Sequence, residues 1–487
     1  MPPINVTEPI RRHAEATPDA PAFIGNDGVV VSYSAFDRAI DAVAARALAR
    51  GLVPGQVARV SVADLYAQLV VALALARIGV AHGPQGLPAH AVALEIVDDA
   101  ATATGEVRSI ASDDLRRDAG DGAAPVVMQP GGTRPWMYCA TSGTGGARKF
   151  VPFSHALSLR RARARVSTAA AMGGGRGLAA TRLASFVGPR TSYGFSSALL
   201  VLHGGGAVVQ PTLVVHEMRD WFARSGVNYL ITSPAAIHKV LRALPGPIAN
   251  TLETLEVGGG ALPRDVYEDA SARLCGHILM GYGFTECGRV ASAPMKTVQE
   301  RMGGVGFALP GVEIRVVDEK GTVLPAGQEG WLCVRSESAA SGYLDAPAEE
   351  AEVFRDGWVR PGDRAILEAD GYLRILGRAD EVINLGGVRI QPQALEAELL
   401  ALGNVREAAV FGVDRAAGLP VLCAAVVPSA PMDAQAFHRR CGDKLGQWAP
   451  VVILHVEELP RNEMGKVQRS DLAAAVLAHK GWNRSAG

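Results

Sequence analysis

Apolar and polar positions alternate along this chain with two different periods, and the change from one to the other divides it. Near the N-terminus "YSAFDRAIDAVAARALARG" spaces its apolar residues as one face of a helix. The short run "VARVSV" then predicts a strand, and "LVVALALARIGVA" a helix buried on nearly every side. The same succession returns twice. "GVNYLITSPAAIHKVLRAL" reads as strand then helix, and "TLEVGGGALPRDVYEDASARL" as strand, glycine loop and helix. Strands alternating with helices predict the α/β class: parallel sheets covered by helices, with ligands at the carboxyl ends of the strands. From about residue 303 the period becomes two, and "GVEIRVVDEKGTVLPAGQEGWLCVRS" and "GWVRPGDRAILEADGYLRILGR" predict short antiparallel strands turned by "EKG" and "ADG". After "GRADEVINLGG" the pattern shifts again. "QPQALEAELLAL" predicts a helix, "EAAVFGV" and "VLCAAVVP" strands, and a last helix and strand follow. The expected organisation is a large α/β domain over 1–379, with an antiparallel β subdomain at about 303–379, then a small α+β domain over 380–487 that hinges at Asp380.

Composition narrows the function without naming it. A chain of 487 residues exceeds what one core usually supports. A net charge of -1 with 20% charged residues removes the electrostatic case for nucleic acid. The local basic run "RRARAR", Arg160 to Arg165, reads as one solvated helix face. The longest apolar run is interrupted by Arg77 and too short to span a bilayer, and the first residues show no secretory pattern, so a cytoplasmic protein is expected. Six cysteines without a CxxC pair fit a reducing compartment and argue against zinc. No HExxH is present, and Ser142 has Ala140 where the first glycine of a serine elbow belongs.

The chemistry concentrates first in "CATSGTGGARKF", Cys139 to Phe150. Glycines let backbone N–H groups approach an anion, hydroxyls donate to its oxygens, and Lys149 adds a compact positive charge. A Walker loop is excluded, because Lys149 is followed by Phe150. A dinucleotide fingerprint is excluded as well, because its third glycine would fall at Arg148.

Further stretches then fall into a known order: "TSGTGGARK", "YGFTE" at Tyr282 to Glu286, "GWVRPGDRA", "GRADEVINLGGVRIQPQALE" and "LPRNEMGKVQR". On these motifs the chain resembles the acyl-adenylate-forming superfamily, which includes acyl-CoA synthetases, carrier-protein-loading adenylation domains and firefly-type luciferases. The resemblance implies ATP-dependent activation of a carboxylic acid to acyl-AMP with release of pyrophosphate, then acyl transfer to coenzyme A. It assigns the β and γ phosphates to Thr141, Ser142, Gly143, Thr144 and Lys149, and the α-phosphate to Thr285. Glu286 is the expected ligand of Mg²⁺. Adenine is expected between Tyr282, with Gly283, and the backbone of Gly259, Gly260 and Ala261. Asp363 is expected at the ribose hydroxyls and Arg378 at the ribose or phosphate edge. Lys466 is the expected adenylation lysine, and Asp380, Gly386 and Gly387 the hinge and thiol tunnel. The chain departs from the family at Gly145, Arg148 and Phe150 in the phosphate loop, at Asn384 beyond the hinge and at Thr191 in the acyl pocket.

The acyl pocket is expected around Tyr193, Gly194, Pro234, Gly258 and Gly281. No acidic residue lies between Leu183 and Leu202, which argues against an α-amino acid, since its ammonium would be buried unpaired. The segments "ITSPAAI", "VGGGALP" and "MGYGFTECG" read as small neutral walls in which glycines leave room, so a hydrophobic monocarboxylic acid, aliphatic or aryl, is expected. Arg190 reads first as a solvent-facing arginine at a helix start, with pairing to a second substrate carboxylate as the alternative. Coenzyme A is the expected acceptor, with a separate acyl-carrier protein as the alternative. A luciferase-like oxygenase and a non-catalytic nucleotide-binding protein stand behind both.

Overall fold

The computed structural model of the chain describes residues 4–98, 109–112, 126–141, 149–171, 177–188, 191–212, 214–244, 246–248, 252–301, 303–378, 381, 383–385, 388–413, 421–462 and 465–478. Two compact units emerge. One comprises Met1–Thr141, Arg148–Ile314 and Val334–Val359; the other includes Arg315–Cys333 and Arg360–Gly487.

The first unit is α/β. Its helices begin where short polar side chains cap them: Ser32 accepts the N–H of Ala35 ahead of helix Tyr33–Ala49, and Asp64 that of Ala67 ahead of helix Leu65–Arg77. The second of these is buried continuously from Ala67 to Arg77. Arg77 is tolerated inside because Asp37 and Asp41 pair with it at 2.5 and 2.9 Å. Strands Leu94–Val97, Val57–Ser61, Ala81–Gly83 and Pro135–Ala140 lie side by side in parallel, and Phe150–Ser154 turns back against the last of them. A second sheet runs Ile278–Phe284, Thr254–Gly258, Tyr229–Thr232, Arg182–Ser185, Ala207–Val209 and Pro21–Ile24, all neighbours parallel. Gly288–Pro294 then pairs antiparallel with Ile278–Phe284. Among the described residues no helix is long and apolar enough to cross a membrane.

The second unit contains the antiparallel strands Asp363–Leu367 and Tyr372–Arg378, joined through the turn at Gly371. A three-stranded sheet of Val405–Val413, Val421–Pro428 and Val452–His455 follows. Its first two strands alternate strictly. Val410, Leu422, Ala424 and Val426 pack with Leu399 and Phe437, while Ala409, Phe411, Cys423 and Ala425 pack with Leu459 and Leu472. With both faces covered, the period of two appears as two cores rather than one wet face.

Buried imidazoles make the first unit sensitive to acid. The N–H of Val6 donates to Nδ1 of His155 at 3.1 Å, and its carbonyl lies 2.7 Å from Nε2 of His203. Burial pushes His155 and His203 down to about 4 and His82 to about 3, from 6.5. The unfolded chain therefore takes up protons that the folded chain refuses. Stability from these groups is complete above pH 6.5 and is lost as pH falls toward 4. Thermal melts should show a flat transition temperature above neutrality and a fall between those values, which replacing His82 with leucine should make shallower.

Candidate active site

The strand Thr254–Gly258 ends with Gly258 paired in parallel register to Gly281, from which Ile278–Phe284 continues three residues further. Gly259, Gly260 and Ala261 continue exposed from that strand end, and the half-buried Tyr282 follows Gly281 within the longer strand. Gly283 has no alternative: a Cβ there would lie 2.2 Å from the carbonyl oxygen of Gly288, so only glycine lets the hairpin close. Pro234 opens the neighbouring helix Pro234–Ala243, capped by Ser233.

The hairpin turns at Thr285 to Cys287, and Glu286 within the turn is buried. The hydroxyl of Tyr343 donates to Oε1 of Glu286 at 2.5 Å, and Nζ of Lys149 stands 5.4 Å from the centre of the Tyr343 ring. One tyrosine thus joins the lysine after the glycine loop to the carboxylate of "YGFTE". The backbone reinforces the arrangement: Thr141 N–H donates to the carbonyl of Lys149 at 2.9 Å, and Ala340 N–H to that of Glu286 at 2.7 Å. The adjoining thiols of Cys139 and Cys287 are pushed up to about 12 by burial, which leaves neither as a nucleophile near neutral pH.

Arg161 corrects the reading of "RRARAR" as a solvated face. Its side chain is buried over the ring of Phe153, 4.3 Å from the centroid. It donates to the carbonyls of Ser338, Thr285 and Glu286 at 2.9, 3.1 and 2.8 Å. Burial pushes its guanidinium down to about 10, still charged at neutral pH. Arg161→Met should leave the carbonyls of Thr285 and Ser338 without this donor, while that of Glu286 keeps the N–H of Ala340, and cost roughly 2 kcal/mol, with Arg161→Lys recovering part. Thermal unfolding of the two variants measures it; equal stability of Arg161→Met and the parent would remove this role.

On the acyl side, Thr191 caps helix Ser192–His203 by accepting the N–H of Gly194. Gly194 approaches the carbonyl of Gly188 so closely that a Cβ would lie 2.5 Å from its oxygen. The expectation that Gly258 and Gly281 leave room fails. A Cβ on Gly258 would meet the Tyr193 ring at 3.2 Å, and one on Gly281 the Nη2 and Nε of Arg289 at 2.5 and 2.9 Å, so those side chains fill the space. The walls are not neutral either. Glu256, two residues before Gly258 and hence on the same strand face, accepts hydrogen bonds from the hydroxyls of Tyr193 and Tyr229 and pairs with Arg289.

In the second unit Asp363 is buried and lies in register opposite Arg378. Lys466 follows Gly465, whose φ of +75° closes a turn in which Lys466 N–H donates to Oδ1 of Asn462 at 3.0 Å. Its Nζ lies 2.6 Å from Oε1 of Glu381. The other oxygen of Glu381 takes Nε2 of Gln393 at 3.1 Å and stands 3.5 Å from Arg469.

Ser142, Gly143, Thr144, Gly145, Arg148, Arg190, Asp380, Gly386 and Gly387 lie outside the described residues. Tyr343, Arg161, Glu256 and Arg289 were missed by sequence reasoning. Tyr343 and Arg161 act through contacts far along the chain, and a spacing pattern carries no sign of those. Glu256 and Arg289 stood inside or beside quoted segments, and the period of two around Gly258 was the signal that placed Glu256 on the site face.

The geometry can be set beside known proteins. A sequence profile of the AMP-binding enzyme family matches residues 85–344, and that of the AMP-binding enzyme C-terminal domain matches residues 394–466. The sulfoacetate–CoA ligase of Cupriavidus necator is 33% identical over 277 residues, 56% of this chain and 54% of that protein. The chain spans about half the length of the curated relatives it matches. ATP-bound MatB from Rhodopseudomonas palustris has a similar structure at a TM-score of 0.83 and 25% identity, covering 98% of this chain and 99% of that one. O-succinylbenzoate coenzyme A synthetase (MenE) from Bacillus subtilis in complex with AMP reaches a TM-score of 0.82 at 21% identity, over 97% and 98% of the two chains, a likeness of fold.

Proposed function

This chain belongs to the AMP-binding enzyme family, and from that premise we propose that it joins a carboxylic acid to AMP at the expense of ATP and passes the acyl group to coenzyme A. The observation that carries the reading is the linkage of Lys149 and Glu286 through Tyr343, beside the strand ends that carry Tyr282 and Gly259. A carboxylate is a poor acylating agent because its leaving group would be oxide. Attack of its oxygen on the α-phosphorus of ATP expels pyrophosphate and leaves the mixed anhydride, and the thiol then attacks the acyl carbon and releases AMP.

Charge gathers on the phosphates in the first step, so the chain has to supply donors and cations rather than a nucleophile. Lys149 and Thr141, with Ser142, Gly143 and Thr144, are assigned to the β and γ phosphates, and Thr285 to the α-phosphate. Glu286 offers a hard oxygen donor fixed by Tyr343, a donor set that fits Mg²⁺ held mainly by substrate phosphates. Magnesium bound there supplies neutralisation of phosphate charge. Tyr282 presents its ring to adenine, with Gly259, Gly260 and Ala261 opposite. Asp363, buried and in register opposite Arg378, is suited to accept from the ribose hydroxyls. Lys466 is assigned to the acyl carboxylate and the α-phosphate, two anions that meet only in this step. Six free, buried cysteines support a cytoplasmic setting.

Purified protein incubated with ATP, magnesium, a panel of acids and coenzyme A should release pyrophosphate and AMP in equal amounts and form a thioester visible by mass. Pyrophosphate without thioester would limit the reading to adenylation. Neither product with any acid would remove it.

A further inference from the structure

We infer that the acyl pocket ends at the buried Glu256–Arg289 pair and selects a short acid whose tail carries one neutral oxygen, a hydroxyl or keto group, over both a long alkyl chain and a dicarboxylate. This rests on the ligase reading above. The Arg289 side chain is 8% exposed and that of Glu256 0%. The guanidinium lies over Gly281 and the phenol ring of Tyr193 over Gly258, the register pair at the strand ends. An acyl chain entering past these glycines meets a ring and a cation instead of a tunnel, so length is limited there.

Charge decides what the tail carries. Glu256 receives two tyrosine hydroxyls and forms an ion pair with Nη2 of Arg289. Burial alone would lower the Arg289 pKa, but Glu256, Tyr193 and Tyr229 raise it beyond its ordinary value. The pair is therefore neutral as a unit. Nε of Arg289, however, is buried with no hydrogen-bond partner among the described residues, and it lies 2.9 Å from where a Cβ on Gly281 would stand. A buried N–H without an acceptor is costly, and an alkyl tail leaves it so. A hydroxyl or keto oxygen completes it. A second carboxylate would instead compete with ionised Glu256 for one guanidinium and be repelled at close range.

Butyrate, 3-hydroxybutyrate, succinate and octanoate separate these cases. Each is measured twice, by calorimetric binding in the presence of a non-hydrolysable ATP analogue and by pyrophosphate release with coenzyme A. We expect 3-hydroxybutyrate to lead butyrate by at least about tenfold in both, with succinate and octanoate weaker still. In the double variant Arg289→Met with Glu256→Gln, which keeps the site uncharged, the ratio of 3-hydroxybutyrate to butyrate should fall to about one. If that variant does not fold, the ranking by the parent protein decides alone. Turnover that favours octanoate, butyrate or succinate overturns this inference and leaves the ligase reading intact. Binding in the expected order without pyrophosphate release overturns the ligase reading and leaves the pocket. Binding of none of the four acids overturns the pocket inference, and the ligase reading is then decided by the wider panel of acids.

Discussion

Lys466→Ala is expected to slow acyl-AMP formation at least about a hundredfold, roughly 3 kcal/mol of transition-state stabilisation, while thioester formation from supplied acyl-AMP continues near the parental rate. The reason is electrostatic. The attacking carboxylate and the α-phosphate are both anionic, and a lysine that bridges them lowers the barrier only in the step where they approach. The second step breaks the bond to AMP and brings in a thiol, with no such encounter. The structure adds a condition. Lys466 is held by Glu381 at 2.6 Å within the C-terminal unit, so it must leave that partner to act. Glu381 then retains Arg469 and Gln393, so the variant should fold. Its thermal stability should fall only slightly, on the scale of a partly exposed ion pair. Assaying the two half-reactions separately decides the matter. Pyrophosphate release by the variant at the parental rate would end the assignment, as would equal loss in both steps.

Glu286→Gln carries the second large expectation: pyrophosphate release at least roughly a hundredfold slower at saturating ATP, with a raised magnesium requirement. Glutamine keeps the shape and can still accept the Tyr343 hydroxyl, so the change removes charge and little else. Tyr343→Phe tests the support rather than the charge. It should raise the magnesium requirement less than Glu286→Gln does, because the carboxylate remains while one hydrogen bond to it is lost. Unchanged rates and an unchanged magnesium titration for Glu286→Gln would assign the carboxylate a purely structural place at the turn after Thr285.

The order of residues alone determined the α/β class, the alternation of strand and helix, and the loops at the strand ends. Each of these follows from local periodicity and from glycine, proline and cap residues, which act on neighbours a few positions away. The register that puts Gly258 beside Gly281 and Asp363 beside Arg378 was legible only as motif order. Tertiary structure decided what fills the site. Arg161 was read as surface because a run of arginines in an alanine-rich helix usually is, yet the turn at Thr285 and the carbonyl of Ser338 supply the acceptors that make its burial affordable. Tyr343 reaches Glu286 across 57 positions of chain. Glycines at 258 and 281 read as empty space, and only the packed chain brings Tyr193 and Arg289 over them. A missing side chain leaves room only if nothing distant folds into it, and pairings of that range are set by the whole core rather than by any window of sequence.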